Sequence, residues 1–222
     1  PERVVIIGGG VIGVEFASVW RSFGVEVTIV EALPHLLPAE DVASSKALER
    51  AFRKRGIAFH LGRRYESVTQ DDASVNVRLD DGTELRSDYL LVAVGRGPST
   101  AGLGFEESGV TLERGFVRTD ERLRTSTPHV WAVGDIVPGL QLAHRGFQQG
   151  IFVAEEIAGL SPVVVHDIDV PRVAYSHPEV ASVGLTEAQA AERHGADAVR
   201  SYEYNLAGNG RSEILGTSGI VK

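Results

Sequence analysis

The 222 residues carry 22 basic against 30 acidic side chains, a net charge of −8, with 43% hydrophobic and 23% charged residues and no cysteine. This is ordinary globular composition, which excludes a disordered chain and a disulfide scaffold, and it leaves no thiol nucleophile, zinc–thiolate centre or redox-active disulfide within these residues. No apolar run approaches the roughly 18 residues of a membrane span, no secretory layout opens the chain, and the short Arg53-Lys54-Arg55 cluster is too small for a nucleic-acid footprint. A soluble, cytoplasmic protein is expected, of two small domains in preference to one large one. There is no methionine, and Pro1 stands almost directly before an apolar strand, so the chain reads as a fragment of a longer protein.

Residues 4–7 form an apolar strand that stops at Gly8-Gly9-Gly10. Val11, Val14, Phe16, Val19, Trp20 and Phe23 then recur at helical spacing, and Gly24 fits the helix C-terminus. Residues 25–30 are a β-branched strand ending at Glu31, which completes a βαβ unit. A loop marked by Pro34 and Pro38 leads to a helix over 42–55, stopped by Gly56, and to a strand over 57–61. From 64 to 94 the period changes to two. Residues 75–79 alternate, Asp81-Gly82 marks a hairpin, and 89–94 is an unbroken apolar strand, so an antiparallel meander returns to a buried strand. Gly95-Arg96-Gly97-Pro98 marks a domain boundary. An apolar strand over 130–133 ends at Gly134-Asp135, a helix runs over 142–157, and Pro162 and Pro171 bracket a linker. Beyond it come a strand over 173–175, a turn at His177-Pro178, a helix opened by the capping box Thr186-Glu187-Ala188-Gln189, and two more strands. Three strands and one helix are too little for a closed domain. The fold class is α/β, with a parallel Rossmann-like sheet and an antiparallel meander.

Gly8-Gly9-Gly10-Val11-Ile12-Gly13 satisfies G-x-G-x-x-G between a strand and a helix, where dinucleotide binding needs it. The first glycine permits the turn, the second lets backbone N–H groups approach a pyrophosphate, and the third allows helix and strand to pack closely. The helix N-terminus attracts the phosphates. A glycine turn that merely packs is the alternative. Glu31, 18 residues beyond Gly13, supplies the acid that accepts from a ribose 2′-OH and repels a 2′-phosphate, which favours NAD over NADP. Glu15 falls in the first turn of the helix, at the nicotinamide end; an ordinary acid favoured by the helix dipole is its other reading. Asp135 can offer a carboxylate to a sugar or ribityl hydroxyl. His144 and His177, the histidines nearest the motif-like segments, read as structural with a catalytic role as the other reading, and no Ser/His/Asp order, metal spacing or P-loop occurs.

Residues 8–15 (Gly-Gly-Gly-Val-Ile-Gly-Val-Glu), 94–98 (Val-Gly-Arg-Gly-Pro), 130–135 (Val-Trp-Ala-Val-Gly-Asp), 142–144 (Leu-Ala-His) and 175–179 (Tyr-Ser-His-Pro-Glu) together resemble the flavoprotein disulfide reductases, with dihydrolipoamide dehydrogenases the best match. The resemblance implies an NAD-binding domain over 1–97, the second segment of a split FAD-binding domain over 98–165, and the start of an interface (dimerisation) domain over 166–222. It implies an oxidoreductase that reoxidises dihydrolipoyl groups of 2-oxoacid dehydrogenase complexes, passing electrons from dithiol to FAD to NAD, as a homodimer. Carried over by position, Gly8, Gly9, Gly10, Val11, Ile12, Gly13, Val14 and Glu15 would hold pyrophosphate and nicotinamide. Glu31 would hold the adenine ribose, Tyr65 would make an adenine-side backbone contact, and Gly95 would form the other wall. Asp135 would bind the ribityl chain of FAD, and Gln141, Leu142, Ala143 and His144 would lie along the flavin. The family's disulfide lies upstream of these residues and its catalytic His-Glu pair downstream, so the chain alone is expected to be inactive. A mercuric-reductase or soluble-transhydrogenase relative, and a non-enzymatic dinucleotide-binding module, are the other readings.

Overall fold

The computed structural model describes residues 1–222 and divides them into two compact units, residues 1–95 with 173–222, and residues 96–172. In chain order the regular elements are β1 (Arg3–Ile7), α1 (Val11–Ser22), β2 (Glu26–Glu31), α2 (Val42–Lys54), β3 (Ala58–Leu61), β4 (Tyr65–Gln70), β5 (Val75–Leu79), β6 (Glu84–Ser87) and β7 (Tyr89–Val92). There follow β8 (Leu112–Glu113), β9 (Phe116–Val117), α3 (Ala143–Ile157), β10 (Arg172–Ala174), β11 (Val180–Ser182), α4 (Glu187–His194), β12 (Tyr204–Asn205), α5 (Gly210–Leu215) and β13 (Ile220–Val221).

The first unit is built on a four-stranded sheet of order β3-β2-β1-β7, parallel throughout. Because β1 is covered on both faces, its run is apolar without a break, and the two-residue period of a strand sorts the side chains. Val4 and Ile6 join Val14 and Ala17 of α1 and Leu48 and Phe52 of α2 in one core. Val5 and Ile7 face the other way, into Val75, Val77 and Leu79 of β5. The three-stranded antiparallel meander β4-β5-β6 thus covers one face of the sheet while the helices cover the other. It turns where the sequence predicts: Gly82 has φ +84°, and Thr83 N–H donates to Asp81 Oδ1 at 3.0 Å.

The 173–222 segment of this unit contributes the pairs β10-β11 and β12-β13, with the capping box at Thr186 and Gln189 formed as the spacing predicts. β11 and α5 lie where the sequence signalled no element.

In the second unit Val110, Val117, Ala132 and Val137 form a small core. The strand predicted over 130–133 is not formed; a single bridge joins Trp131 to Arg124 instead. Apolar residues become a strand only when a hydrogen-bonded neighbour satisfies their backbone along its length, and here the 123–125 segment offers one bridge. α3 occupies its predicted span, and Gln149 from its buried face accepts the Gly134 N–H at 2.8 Å.

A candidate dinucleotide-binding site

The site lies at the carboxyl ends of β1, β2 and β7, where open parallel sheets bind ligands. Gly8 N–H donates to Val30 O at 2.8 Å, and Ala93 N–H donates to Ile7 O at 2.7 Å, so the glycine turn is held between the tips of β2 and β7. Gly8, at φ +111°, lies so close to the end of β7 that a Cβ there would collide with the Ala93 carbonyl. A Cβ on Gly13 would strike the Gly8 carbonyl oxygen, which is the close helix–strand packing expected of the third glycine. Gly10 differs: no atom lies within 4 Å of the Cβ position, so the turn opens outward at this residue. Gly10 is also the N-cap of α1 and offers no side chain to the helix, and no acidic residue occupies the first turn. Free N–H groups, the positive end of the helix dipole and open space therefore coincide, and they fit a diphosphate.

Glu31, 8% exposed, reaches back beneath this turn. Its Oε2 accepts the Gly9 N–H at 2.6 Å and its Oε1 the Leu33 N–H at 2.7 Å. A carboxylate has about four lone-pair sites, so each oxygen keeps capacity for a further donor. The loop after β2 folds over the turn: Leu36 and Leu37 are buried, and Leu37 N–H donates to Gly9 O at 2.8 Å. This packing explains why a loop punctuated by Pro34 and Pro38 carries two leucines between them.

Glu15 stands in the second turn of α1, not the first, because the helix begins at Val11. Its Oε1 accepts the Tyr175 N–H at 2.8 Å. Gly95 follows β7, exposed, at φ +143°. Tyr65 opens β4 on the exposed side; the segment leading to it is tied down by Arg63 N–H, which donates to Glu31 O at 3.0 Å, and by Gly62 N–H, which donates to Leu33 O at 3.0 Å. Val11, Ile12 and Val14 lie on α1, of which Val14 is fully buried.

The remaining candidates lie together in the second unit. Asp135 is exposed on a short 3-10 turn (Gly134–Ile136), and Gln141 Nε2 donates to its carbonyl at 3.3 Å. Leu142 is the N-cap of α3, again with no side-chain cap, and Ala143 and His144 open the helix. His144 Nε2 donates to Pro171 O at 2.7 Å, which accounts for the imidazole structurally. A cavity of about 300 Å³ borders His144, Gln148 and the 163–165 valines.

Sequence reasoning missed Ser18 and Arg55. Ser18 Oγ accepts the His177 N–H at 2.9 Å, and Arg55 Nη1 donates to both Ser18 Oγ and His177 O, each at 2.8 Å. One signal was available: Ser18 lies three residues beyond Glu15, on the same helix face.

Residues 1–150 match the family of pyridine nucleotide-disulphide oxidoreductases, and residues 170–222 match the dimerisation domain of that family. The dihydrolipoyl dehydrogenase of Chlorobaculum tepidum is 40% identical over 227 residues, covering all of this chain and 48% of the relative. That of Mycobacterium leprae is 39% identical over 228 residues, with the same coverage of both chains. Among solved structures, LpdA from Mycobacterium tuberculosis superposes with a TM-score of 0.88 at 31% identity, over 98% of this chain and 47% of that one. The HOCl-induced flavoprotein disulfide reductase RclA from Escherichia coli gives 0.85 at 32% identity, over 100% of this chain and 52% of that one. The chain thus spans about half the length of the relatives it matches. It belongs to the pyridine nucleotide-disulphide oxidoreductase family.

Proposed function

We propose that this chain forms part of a cytoplasmic, homodimeric dihydrolipoyl dehydrogenase, in which residues 1–97 bind NAD, 98–165 contribute to an FAD site and 166–222 begin the dimer interface. The observation that carries the reading is the glycine turn, open at Gly10 and set at the carboxyl ends of β1 and β7 beneath an uncapped helix N-terminus. When bound, NAD supplies the hydride acceptor and FAD the electron carrier between the dihydrolipoyl dithiol of a 2-oxoacid dehydrogenase complex and NAD.

The work of this chain is binding and orientation. Backbone N–H groups from Gly10 to Gly13 hold the diphosphate, aided by the helix dipole. Glu31 accepts from the adenine ribose hydroxyls with its remaining lone pairs and repels a 2′-phosphate. Tyr65 lies on the adenine side, and Gly95 leaves the opposite wall without a side chain. Glu15 orients the nicotinamide end, its Oε1 held by Tyr175 so that Oε2 stays available. Asp135 serves the ribityl chain, while Gln141, Leu142, Ala143 and His144 at the uncapped start of α3 line the flavin.

Calorimetric titration with NAD and NADP tests the site, and NAD reduction by dihydrolipoamide with the full-length protein tests the activity. NAD should bind far more tightly than NADP, and dihydrolipoamide should drive reduction. Equal binding would remove Glu31 from the ribose. The similarity to RclA, whose TM-score nearly equals that to LpdA, supports a second reading as another flavoprotein disulfide reductase. NAD binding without dihydrolipoamide turnover would favour it.

A further inference from the structure

The face of α1 that carries Glu15 is not a free surface. Residues 175–177 lie along it so that the N–H groups of Tyr175 and His177 meet two side chains one helical turn apart, Glu15 Oε1 at 2.8 Å and Ser18 Oγ at 2.9 Å. His177 lies only two residues beyond Tyr175, so fixing His177 on one side and β10, which ends at Ala174, on the other confines Tyr175 N–H near Glu15. Arg55, just beyond α2, holds His177 together with Ser18. Its Nη1 bridges Ser18 Oγ and His177 O, and its Nη2 donates to Ser18 O at 3.2 Å and Ser22 Oγ at 3.0 Å. Arg55 is itself held at the backbone, where Arg21 Nε donates to its carbonyl at 2.6 Å.

We propose that Arg55 is a positioning residue for hydride transfer: through Ser18 and His177 it fixes the 175–177 segment, whose Tyr175 N–H sets the orientation of the Glu15 carboxylate. The proposal rests on the reading of Glu15 as the residue at the nicotinamide end. Glu15 has one oxygen engaged by a backbone donor whose location depends on a guanidinium that bonds Ser18, Ser22 and His177 rather than the glycine turn. Loss of Arg55 removes the bond on His177 O and loosens Ser18, which lets Tyr175 N–H move off Oε1 and frees the carboxylate to rotate. Diphosphate binding, which depends on the glycine turn, is left intact.

The test uses the full-length protein carrying this sequence, with NAD affinity by calorimetry, NADH-to-thio-NAD hydride exchange by stopped flow, and amide hydrogen exchange over residues 173–179. Arg55→Leu should raise amide exchange in that segment and slow hydride exchange about fivefold to tenfold, close to the net worth of one ordinary hydrogen bond, with NAD affinity within about twofold. Arg55→Lys should restore the rate to within about twofold, because one ammonium can reproduce both bonds of Nη1. Ser22→Ala, which removes an Arg55 contact without touching 175–177, should change none of the three. In a Glu15→Ala background, which has no acceptor for Tyr175 N–H, Arg55→Leu should slow exchange no further. A rate that falls in the Glu15→Ala background by the same factor, or NAD affinity that falls in parallel with the rate, would overturn the proposal. Failure of the unsubstituted protein to bind NAD would instead sink the dinucleotide reading itself.

Discussion

Glu31 Oε2 accepts the Gly9 amide proton at 2.6 Å while Oε1 accepts that of Leu33 at 2.7 Å, so one buried carboxylate ties the glycine turn and the following loop to the tip of β2. The residue assigned to the ribose is therefore also a structural brace. Glu31→Ala should cost about 1.5 to 3 kcal/mol of NAD affinity, the range for hydrogen bonds to a charged group, and a further 1 to 3 kcal/mol or so of folding stability from the orphaned N–H groups. Calorimetry and urea unfolding measure the two separately. A loss of stability with unchanged NAD affinity would leave Glu31 as a brace alone.

Gly10 and Gly13 should respond oppositely to alanine. The methyl of Gly13→Ala meets the Gly8 carbonyl, so helix and strand must separate, at a cost of about 1 to 3 kcal/mol or more. At Gly10, φ is −71° and the Cβ position is open, so Gly10→Ala should fold with a loss of about 1 kcal/mol or less while its methyl projects into the diphosphate space and weakens NAD. Thermal unfolding against NAD titration checks the contrast. Equal loss of stability in both variants would refute it.

A charged cluster around Lys222 sets a pH dependence. Lys222 Nζ lies 2.9 Å from Asp41 Oδ1 and 2.5 Å from Glu187 Oε2. The hydrogen bonds to Lys222 and then Ser201 hold the Glu187 carboxyl below its ordinary range. For Asp41 burial pulls upward, but the Glu187 N–H, Lys222 and the Ala43 N–H together outweigh it and lower its pKa. The Lys222 ammonium is raised, chiefly by its hydrogen bond to Glu187. A lowered carboxyl stabilises the fold above its ordinary pKa, and the gain is lost as pH falls through the lowered value. A raised ammonium stabilises below its ordinary pKa, and the gain is lost as pH rises through the raised value. The stability deficit of Lys222→Ala should accordingly be greatest between about pH 5 and 10 and shrink on either side. Urea midpoints across that range test this, and a pH-independent deficit would contradict it.

In the second unit Arg145, 5% exposed, pairs its Nε with Asp167 Oδ1 at 2.5 Å and its Nη2 with Pro138 O at 2.6 Å. Asp167→Ala leaves a buried guanidinium without its counter-charge and should destabilise the protein by about 1 to 3 kcal/mol, less than for a fully buried pair because Asp167 is 40% exposed. Arg145→Met combined with Asp167→Ala should recover part of that loss. Denaturant unfolding of the single and double variants decides, and a double variant weaker than the single would argue against a desolvation cost.

The elements from β1 to β7 were legible because each carries its own signal: a continuous apolar run for a strand covered on both faces, alternation in β5, helical spacing in α1, and glycines at the turns. Residues 130–133 carry the same apolar signal and misled, since composition does not reveal whether a neighbouring strand exists to pair with it. β11 and α5 were too short for any period to show. Glu31 was singled out by its distance from the glycine turn, but its bond to Gly9 was not foreseeable from spacing. Arg55 was read as one member of a basic run; its partner His177 lies 122 residues away, and no local pattern reports a contact of that range.

The central position of β1 also orders the events of folding. Its partner β2 follows within a few tens of residues, whereas Val4 to Ile7 find Tyr89 to Val92 only after the whole meander has been made. Closing that longer loop carries the greater entropic cost, so β1–β2 pairing comes early and β7 docks late. The Ala93 carbonyl that closes against Gly8 arrives with β7. During synthesis the glycine turn therefore stays half-walled until Ala93 has emerged, and a nucleotide that needs the finished turn would act on the last step of assembly, drawing the docked state forward by mass action.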